Sequence, residues 1–251
     1  MNRVLLPLIL SVTFLSSCSI KEDRSVCPCR LEIGIAAFLK YGPNPLAMIY
    51  KDGFPVVPQR DGEVFVADVE KGDYNICVRT RRDEEGGRIH VIPAETEPDS
   101  LYSFSALLRC DGEIMKVNAL PHKQFCTVSI RVNGISVKDI TYRIKGSYNG
   151  LDILSGEPLF GHFEFPVIPE GEDGSFRFRL CRQGKDSKLS IVSIKGDDSW
   201  ELPIGQWMED AGYDWEAEDL EDFEAEIDYS GAVVTLRVCD WEIEEALVVT
   251  I

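Results

Sequence analysis

The chain has 251 residues, of which 44% are hydrophobic, enough to bury a sizeable core in one large domain or two smaller ones. Its 43 acidic residues outnumber 26 basic ones and leave a net charge of −17. That field repels phosphate backbones and anionic lipid, which argues against nucleic-acid partners and against a basic membrane-binding patch.

The first 17 residues have the form of a cleaved export signal. Arg3 supplies the positive start, Val4 to Leu15 an apolar core, and Ser16-Ser17 the small residues at a cut. This core falls short of the roughly 20 apolar residues that a bilayer crossing needs. Leu15-Ser16-Ser17-Cys18 resembles the bacterial lipobox, in which the cysteine thiol is joined to diacylglycerol before the peptidase cuts in front of it. Cys18 is therefore the expected lipidation site and the first mature residue, with residues 18–29 as a lipidated linker. An ordinary signal peptide before an incidental cysteine is the plainer alternative. Several acyl chains on one residue hold a protein to a membrane far more firmly than one myristoyl group. Lys21-Glu22-Asp23 is similar to the surface-export signal of Bacteroidetes lipoproteins, and a solvated linker is its alternative.

Beyond Cys18 lie Cys27, Cys29, Cys77, Cys110, Cys126, Cys181 and Cys239, an odd number at irregular spacing. An exported protein can carry disulfides, but this spacing defines no framework, and free cysteines are common in cores. Cys27-Pro28-Cys29 lacks the C-x2-4-C spacing and second pair of a zinc site, so no metal is expected.

Alternation of period two then dominates, at Val64/Val66, Tyr74/Ile76/Val78, Val128/Ile130/Val132, Ile140/Tyr142/Ile144, Phe176/Phe178/Leu180 and Val234/Leu236/Val238. Turn pairs separate these runs, among them Asp52-Gly53, Asp61-Gly62, Asp111-Gly112, Asn133-Gly134, Asn149-Gly150 and Gly196-Asp197. The pattern predicts an all-β protein of two tandem β-sandwiches, residues 30–120 and 124–251, with a seam at Leu120-Pro121-His122-Lys123. One or two short helices are expected near the C-terminus, one beginning around Leu202-Pro203-Ile204 and a second turn at Asp219 to Phe223. Between Glu209 and Asp228 stand eleven acids and no base. A solvated acidic face accounts for them better than a calcium loop, whose D-x-D-x-D-G spacing is missing.

Catalytic signatures are lacking. His90, His122 and His162 are widely separated, and there is no G-x-S-x-G, H-E-x-x-H, P-loop or G-x-G-x-x-G. No enzymatic role and no cofactor are expected, although with so many acids a sugar-hydrolysing pair is not testable from spacing. Trp200, Trp207, Trp215 and Trp241 cluster in the last fifth of the chain. Core packing is their expected role; exposed sugar-binding platforms are the alternative.

Cys18 to Asp23, followed by Cys27-Pro28 and a first strand Leu31 to Ile35, resembles the start of the Bacteroidetes fimbrillin-type lipoproteins, in the minor fimbrial subunit and anchor branch. Val69 to Ile76, with Lys71-Gly72-Asp73-Tyr74 at its centre, resembles the start of a strand in transthyretin-like sandwiches, and Val233 to Val238 leading into Asp240-Trp241-Glu242 resembles the closing strand of these anchors. The resemblance implies two transthyretin-like Greek-key domains, an outer-membrane lipid tether at the cell surface, and partnership with fimbrial subunits by strand addition. Shaft subunits of the family are cut by an arginine-directed protease. Cutting after Arg24 or Arg30 would sever this body from its lipid, so an anchor is expected to stay uncut. The alternative function, of a different class, is a glycan-binding outer-membrane lipoprotein beside a nutrient importer.

Overall fold

The computed structural model describes residues 27–80, 87–134, 136, 140–169 and 174–229, and the backbone alone of 234–238 and 241–245. Strands dominate throughout, as the alternation predicts.

The first half forms two sheets around one core. In the first sheet β1 (Cys29–Gly34) lies between β5 (Val64–Val69), antiparallel to it, and β9 (Ile114–Asn118), parallel to it, with β4 (Gln59–Asp61) outside β5. The second sheet runs in the order β10 (His122–Lys123), β8 (Tyr102–Cys110), β6 (Gly72–Arg79), β2 (Leu46–Lys51) and β3 (Phe54–Val56). Leu31 and Ile33 from one sheet meet Tyr74, Ile76 and Val78 from the other, and Phe38 of a short 3-10 helix (Phe38–Lys40) joins them.

The second half repeats this plan. Here β11 (Phe125–Asn133) lies between antiparallel β14 (Phe176–Cys181) and parallel β17 (Phe223–Asp228), followed by β18 (Val234–Val238) and β19 (Trp241–Glu245). The facing sheet runs β13 (Pro158–Val167), β12 (Thr141–Asp152), β15 (Ser190–Lys195) and β16 (Asp198–Leu202). Val128, Ile130, Tyr142, Ile144, Phe176 and Phe178 are all buried between them. At roughly 25 cal/mol per Å² of apolar surface removed from water, such aromatic-rich faces are what hold the layers together.

The one α-helix among the described residues, α1 (Ile204–Asp210), begins where the sequence places a helix. It has no side-chain N-cap and survives because Ile204, Trp207 and Met208 are buried in the second core.

Three local expectations need correction. In β5 the strand is present but its faces are exchanged: Phe65 is 7% exposed while Val64 and Val66 are only half-buried. The face that carries Phe65 also carries Ala67 and Val69, whereas the face of Val64 and Val66 carries Asp68, so turning Phe65 inward buries the more apolar set. Asn149-Gly150 is not a turn but lies inside β12, where the pairing with β13 shifts register on either side of Tyr148. Bulges use the same permissive residues as turns. The bend passes β12 from one neighbour to another, since residues 141–145 pair with β15 and residues 150–152 with β7 (Ile89–Val91). Finally, residues 219–222 form no helical turn; Asp219 and Asp222 spend their carboxylates on backbone N–H groups, as described below.

Candidate functional site: sheet edges and the seam between the sandwiches

The seam between the two sandwiches and the rims of their sheets bring together segments that are distant along the chain. Cys18, Arg24 and the leader lie outside the described residues, as do Cys239 and the side chain of Trp241.

The seam is bridged three times. The first bridge is β7, which comes from the first half of the chain and pairs with the end of β12, matching Val91 with Gly150 and Ile89 with Asp152. Ile92 N–H donates to Asn149 O at 2.7 Å, Ile153 N–H to Arg88 O at 2.8 Å, and Arg88 pairs with Asp152 at 3.0 Å. Gly150 permits this closeness, because a Cβ there would stand 2.3 Å from His90 O. A small core lies beneath, built of Met48, Tyr50, Cys77 and Leu101 from the first half with Leu151 and Ile153 from the second.

The second bridge runs through Gln124, whose backbone N–H donates to Leu101 O of the first half at 2.9 Å, and is anchored by Arg182, buried at 7% exposure. Its guanidinium donates to Gln124 Oε1 at 3.0 Å, to Trp215 O at 2.5 Å and to Ala217 O at 2.8 Å. Burial pulls its pKa down, yet the planar fork satisfies three acceptors at once, which a lysine could not do in this geometry.

The third bridge uses the acidic stretch. Asp219 accepts from Lys123 N–H at 2.6 Å and contacts His122 at 3.3 Å, while Asp222 accepts from Thr127 N–H at 2.7 Å and from Lys123 Nζ at 2.6 Å. Burial pushes both carboxyls upward, but these donors overcome it and hold both below the usual range. Two of the eleven acids are thus structural clamps. Among the described residues no three carboxylate, imidazole or thiol groups converge as a metal site would require.

The three histidines sit on three different strands. His90 on β7 lies 3.3 Å from Arg79, His122 on β10 lies against Glu218 and Asp219, and His162 on β13 is 3.9 Å from Glu164. Two of the tryptophans are core: Trp207 and Trp215 are each 3% exposed. Trp200 is half-buried against that core and donates its indole N–H to Tyr229 Oη at 3.1 Å.

The edges differ in how they are guarded. Along β14, Glu97 from the segment 92–101 accepts from the Arg179 backbone N–H and covers that edge. The same segment places Glu95 on Arg143 of β12, so it straps both sheets of the second sandwich. It also borders two clefts of about 260 and 210 Å³ that share His90 and Asp99. In contrast, among the described residues β13 pairs only with β12 and presents ten residues at the rim of its sheet. Pro158 and Pro166 blunt its two ends, while Phe160 between them is 80% exposed and Ile168 just beyond is 81% exposed. The first strand is the reverse of an edge: β1 is paired on both sides, and Arg30 N–H donates to Glu113 O at 2.8 Å. The sequence did not reveal the bridges across the seam or the strap, because the partners of their side chains lie 33 to 99 residues apart along the chain.

No family model matches the chain, and no curated protein matches it. Solved structures do. A candidate polysaccharide-binding protein from Bacteroides thetaiotaomicron superposes with a TM-score of 0.62 at 12% identity, covering 87% of this chain and 98% of its own. The fimbrial anchor protein Mfa2 from Porphyromonas gingivalis superposes with a TM-score of 0.61 at 11% identity over 87% of this chain and 100% of its own. A candidate adhesin from Bacteroides ovatus gives 0.58 at 11% identity, over 87% and 96%. At these identities the likeness shows that the fold is shared along nearly the whole of each chain.

Proposed function

We propose that this chain is a non-enzymatic, lipid-anchored fitting of a fimbrial or adhesive assembly at the bacterial surface, built from two transthyretin-like domains, residues 30–120 and 124–251. The observation that carries this reading is the fold shared, over 87% of this chain, with a protein described as a fimbrial anchor and with a candidate adhesin. The lipobox at Cys18 supplies the fixed end, attaching the body to the outer membrane. The rim of β13 offers backbone groups to which a fimbrial subunit's strand can add, with Phe160 as an apolar contact. The triple bridge suits a part that must transmit load without its halves swinging apart. The Arg30–Leu31 peptide bond, held between two neighbouring strands, is a poor protease substrate, which favours an uncut anchor over a processed shaft subunit.

The glycan-binding alternative draws on the fold shared with a candidate polysaccharide-binding protein and needs exposed tryptophan platforms; two of the three tryptophans with described side chains are buried, so the fimbrial reading is preferred. The test compares cells expressing the wild-type chain with cells expressing Cys18→Ala. Wild-type protein should sediment with outer membranes together with filament subunits, and the variant should leave that fraction and carry the subunits with it. A variant that stays in the membrane, or a wild-type chain that brings down no filament protein but binds polysaccharide, overturns the proposal.

A further inference from the structure

Seven cysteines follow Cys18, and two of them meet inside the first sandwich. Cys29 opens β1 in one sheet and Cys110 closes β8 in the other, and each is 0% exposed. Register explains the meeting. Cys29 is opposite Val69 at the end of β5, and Cys110 is opposite Gly72 at the start of β6. Residues 69–72 are the short link by which the chain crosses from one sheet to the other. Both cysteines therefore flank that link at the same end of the sandwich. Four residues beyond Cys110, Ile114 lies beside Arg30, so the chain leaving Cys110 runs directly onto the flank of the strand that Cys29 begins. The thiols stand in hydrogen-bonding contact, and burial together with the neighbouring Cys29 pushes the Cys110 thiol up to about 11.

The other described cysteines do not pair in this way. Cys126 and Cys181 lie in adjacent rungs of β11 and β14, opposite Leu180 and Phe125 respectively, which places them on alternate faces. Cys181 Sγ contacts Tyr148 O at 3.4 Å, Cys126 is bonded to Tyr213, and Cys77 is paired with Met48 of β2. Cys27 is exposed.

We propose that Cys29 and Cys110 are a disulfide pair, closed when the exported chain folds. The compartment rests on the export reading above; the choice of partners does not. One thiolate attacks an incoming disulfide, that of an envelope thiol oxidoreductase, and forms a mixed disulfide with release of one thiol. The second thiolate then displaces the carrier. One Cys29–Cys110 Sγ–Sγ bond has formed, two protons have left the cysteines, and two electrons have reduced the carrier's disulfide to a dithiol. Closure precedes final burial, because the finished sandwich leaves neither sulfur open to a carrier.

The consequence is mechanical. Tension on a tether before residue 29 would otherwise be borne by the hydrogen bonds that flank β1 on both sides. With the bond closed it passes through covalent links into β8, an inner strand of the facing sheet. The first strand can then neither peel away nor exchange for a partner's strand.

The test uses the full chain, expressed with its leader in an envelope-bearing bacterium, quenched with acid, alkylated and mapped by tandem mass spectrometry without reduction. A peptide pair linking Cys29 to Cys110, two hydrogens lighter than the separate peptides, is the expected result. A chain that has lost residues 1–17 yet carries alkyl groups on both cysteines overturns the proposal, as does a bond from Cys27 to either of them. A chain that retains residues 1–17 with both thiols reduced reports failure of the export reading instead. Oxidised glutathione is then added to that purified chain during refolding, and a Cys29–Cys110 bond supports the pairing while any other pattern, or none, overturns it.

Discussion

One oxygen of Glu97, Oε1, accepts from both the backbone N–H of Arg179 at 2.8 Å and its Nε at 3.1 Å, so a segment that precedes the seam seals the rim of β14 in the second sandwich. An uncovered rim is an invitation to pair with another chain. Glu97→Ala should therefore raise the hydrogen-exchange rate of the Arg179 amide at least tenfold and promote self-association on storage. Its effect on stability should be about 1 kcal/mol or less, because both partners are partly solvated. Unchanged exchange at Arg179 would show that the strap does not guard this edge.

Arg182 is the most demanding residue of the seam. Arg182→Met keeps the apolar stem but removes the donors to Gln124, Trp215 and Ala217, leaving their acceptors without partners. A loss of about 3 kcal/mol is expected, read as a lower urea midpoint at constant slope. Arg182→Lys should recover less than half of it.

Gly150 tests whether the sandwiches are coupled by β7. A methyl group at this position must displace His90 O and the backbone of Val91, which are parts of a paired strand and not of a flexible side chain. Gly150→Ala should cost about 2 kcal/mol and selectively expose the Ile92 and Ile153 amides to exchange, because their acceptors lie across that contact. Equal protection in both proteins would mean that β7 is not a bridge.

The acid clamps give the seam a pH dependence. Asp219 and Asp222 have folded-state pKa values below the unfolded ones, so the stability they add is fully present above the unfolded pKa of about 3.9 and fades as pH falls through their folded values. Urea midpoints should accordingly fall on acidification below about pH 4. The Asp219→Asn and Asp222→Asn double variant should start lower at neutral pH and show a shallower decline. Parallel pH curves for the two proteins would contradict the clamp.

Strands whose one face is buried and whose other is wet were legible, since Val128/Ile130/Val132 alternate cleanly and are buried as their period requires; in β6 Tyr74, Ile76 and Val78 are buried as read, while Cys77 and Arg79 on the other face are buried too. The helix at Ile204 was legible for a related reason, its apolar residues being spaced to face one core. In β5 Val64, Phe65, Val66 and Ala67 are all apolar, so period alone could not choose the inner face, and Asp68, which shares a face with Val64 and Val66, decided it. Asn149-Gly150 misled because a turn and a bulge ask for the same residues. The bridges and the strap were illegible in principle: Glu97, Arg179, Asp219 and Lys123 are common surface types, and only the folded chain says which acid meets which donor.

The central claim is that a lipid on Cys18 holds two bridged β-sandwiches at the cell surface. Mass analysis of the amino-terminal peptide from membrane-isolated protein tests it most directly. The account predicts a peptide beginning at Cys18 and carrying diacylglycerol on its thiol, with Arg24 and Arg30 uncut. A peptide that begins elsewhere, or a Cys18 without lipid, would contradict it.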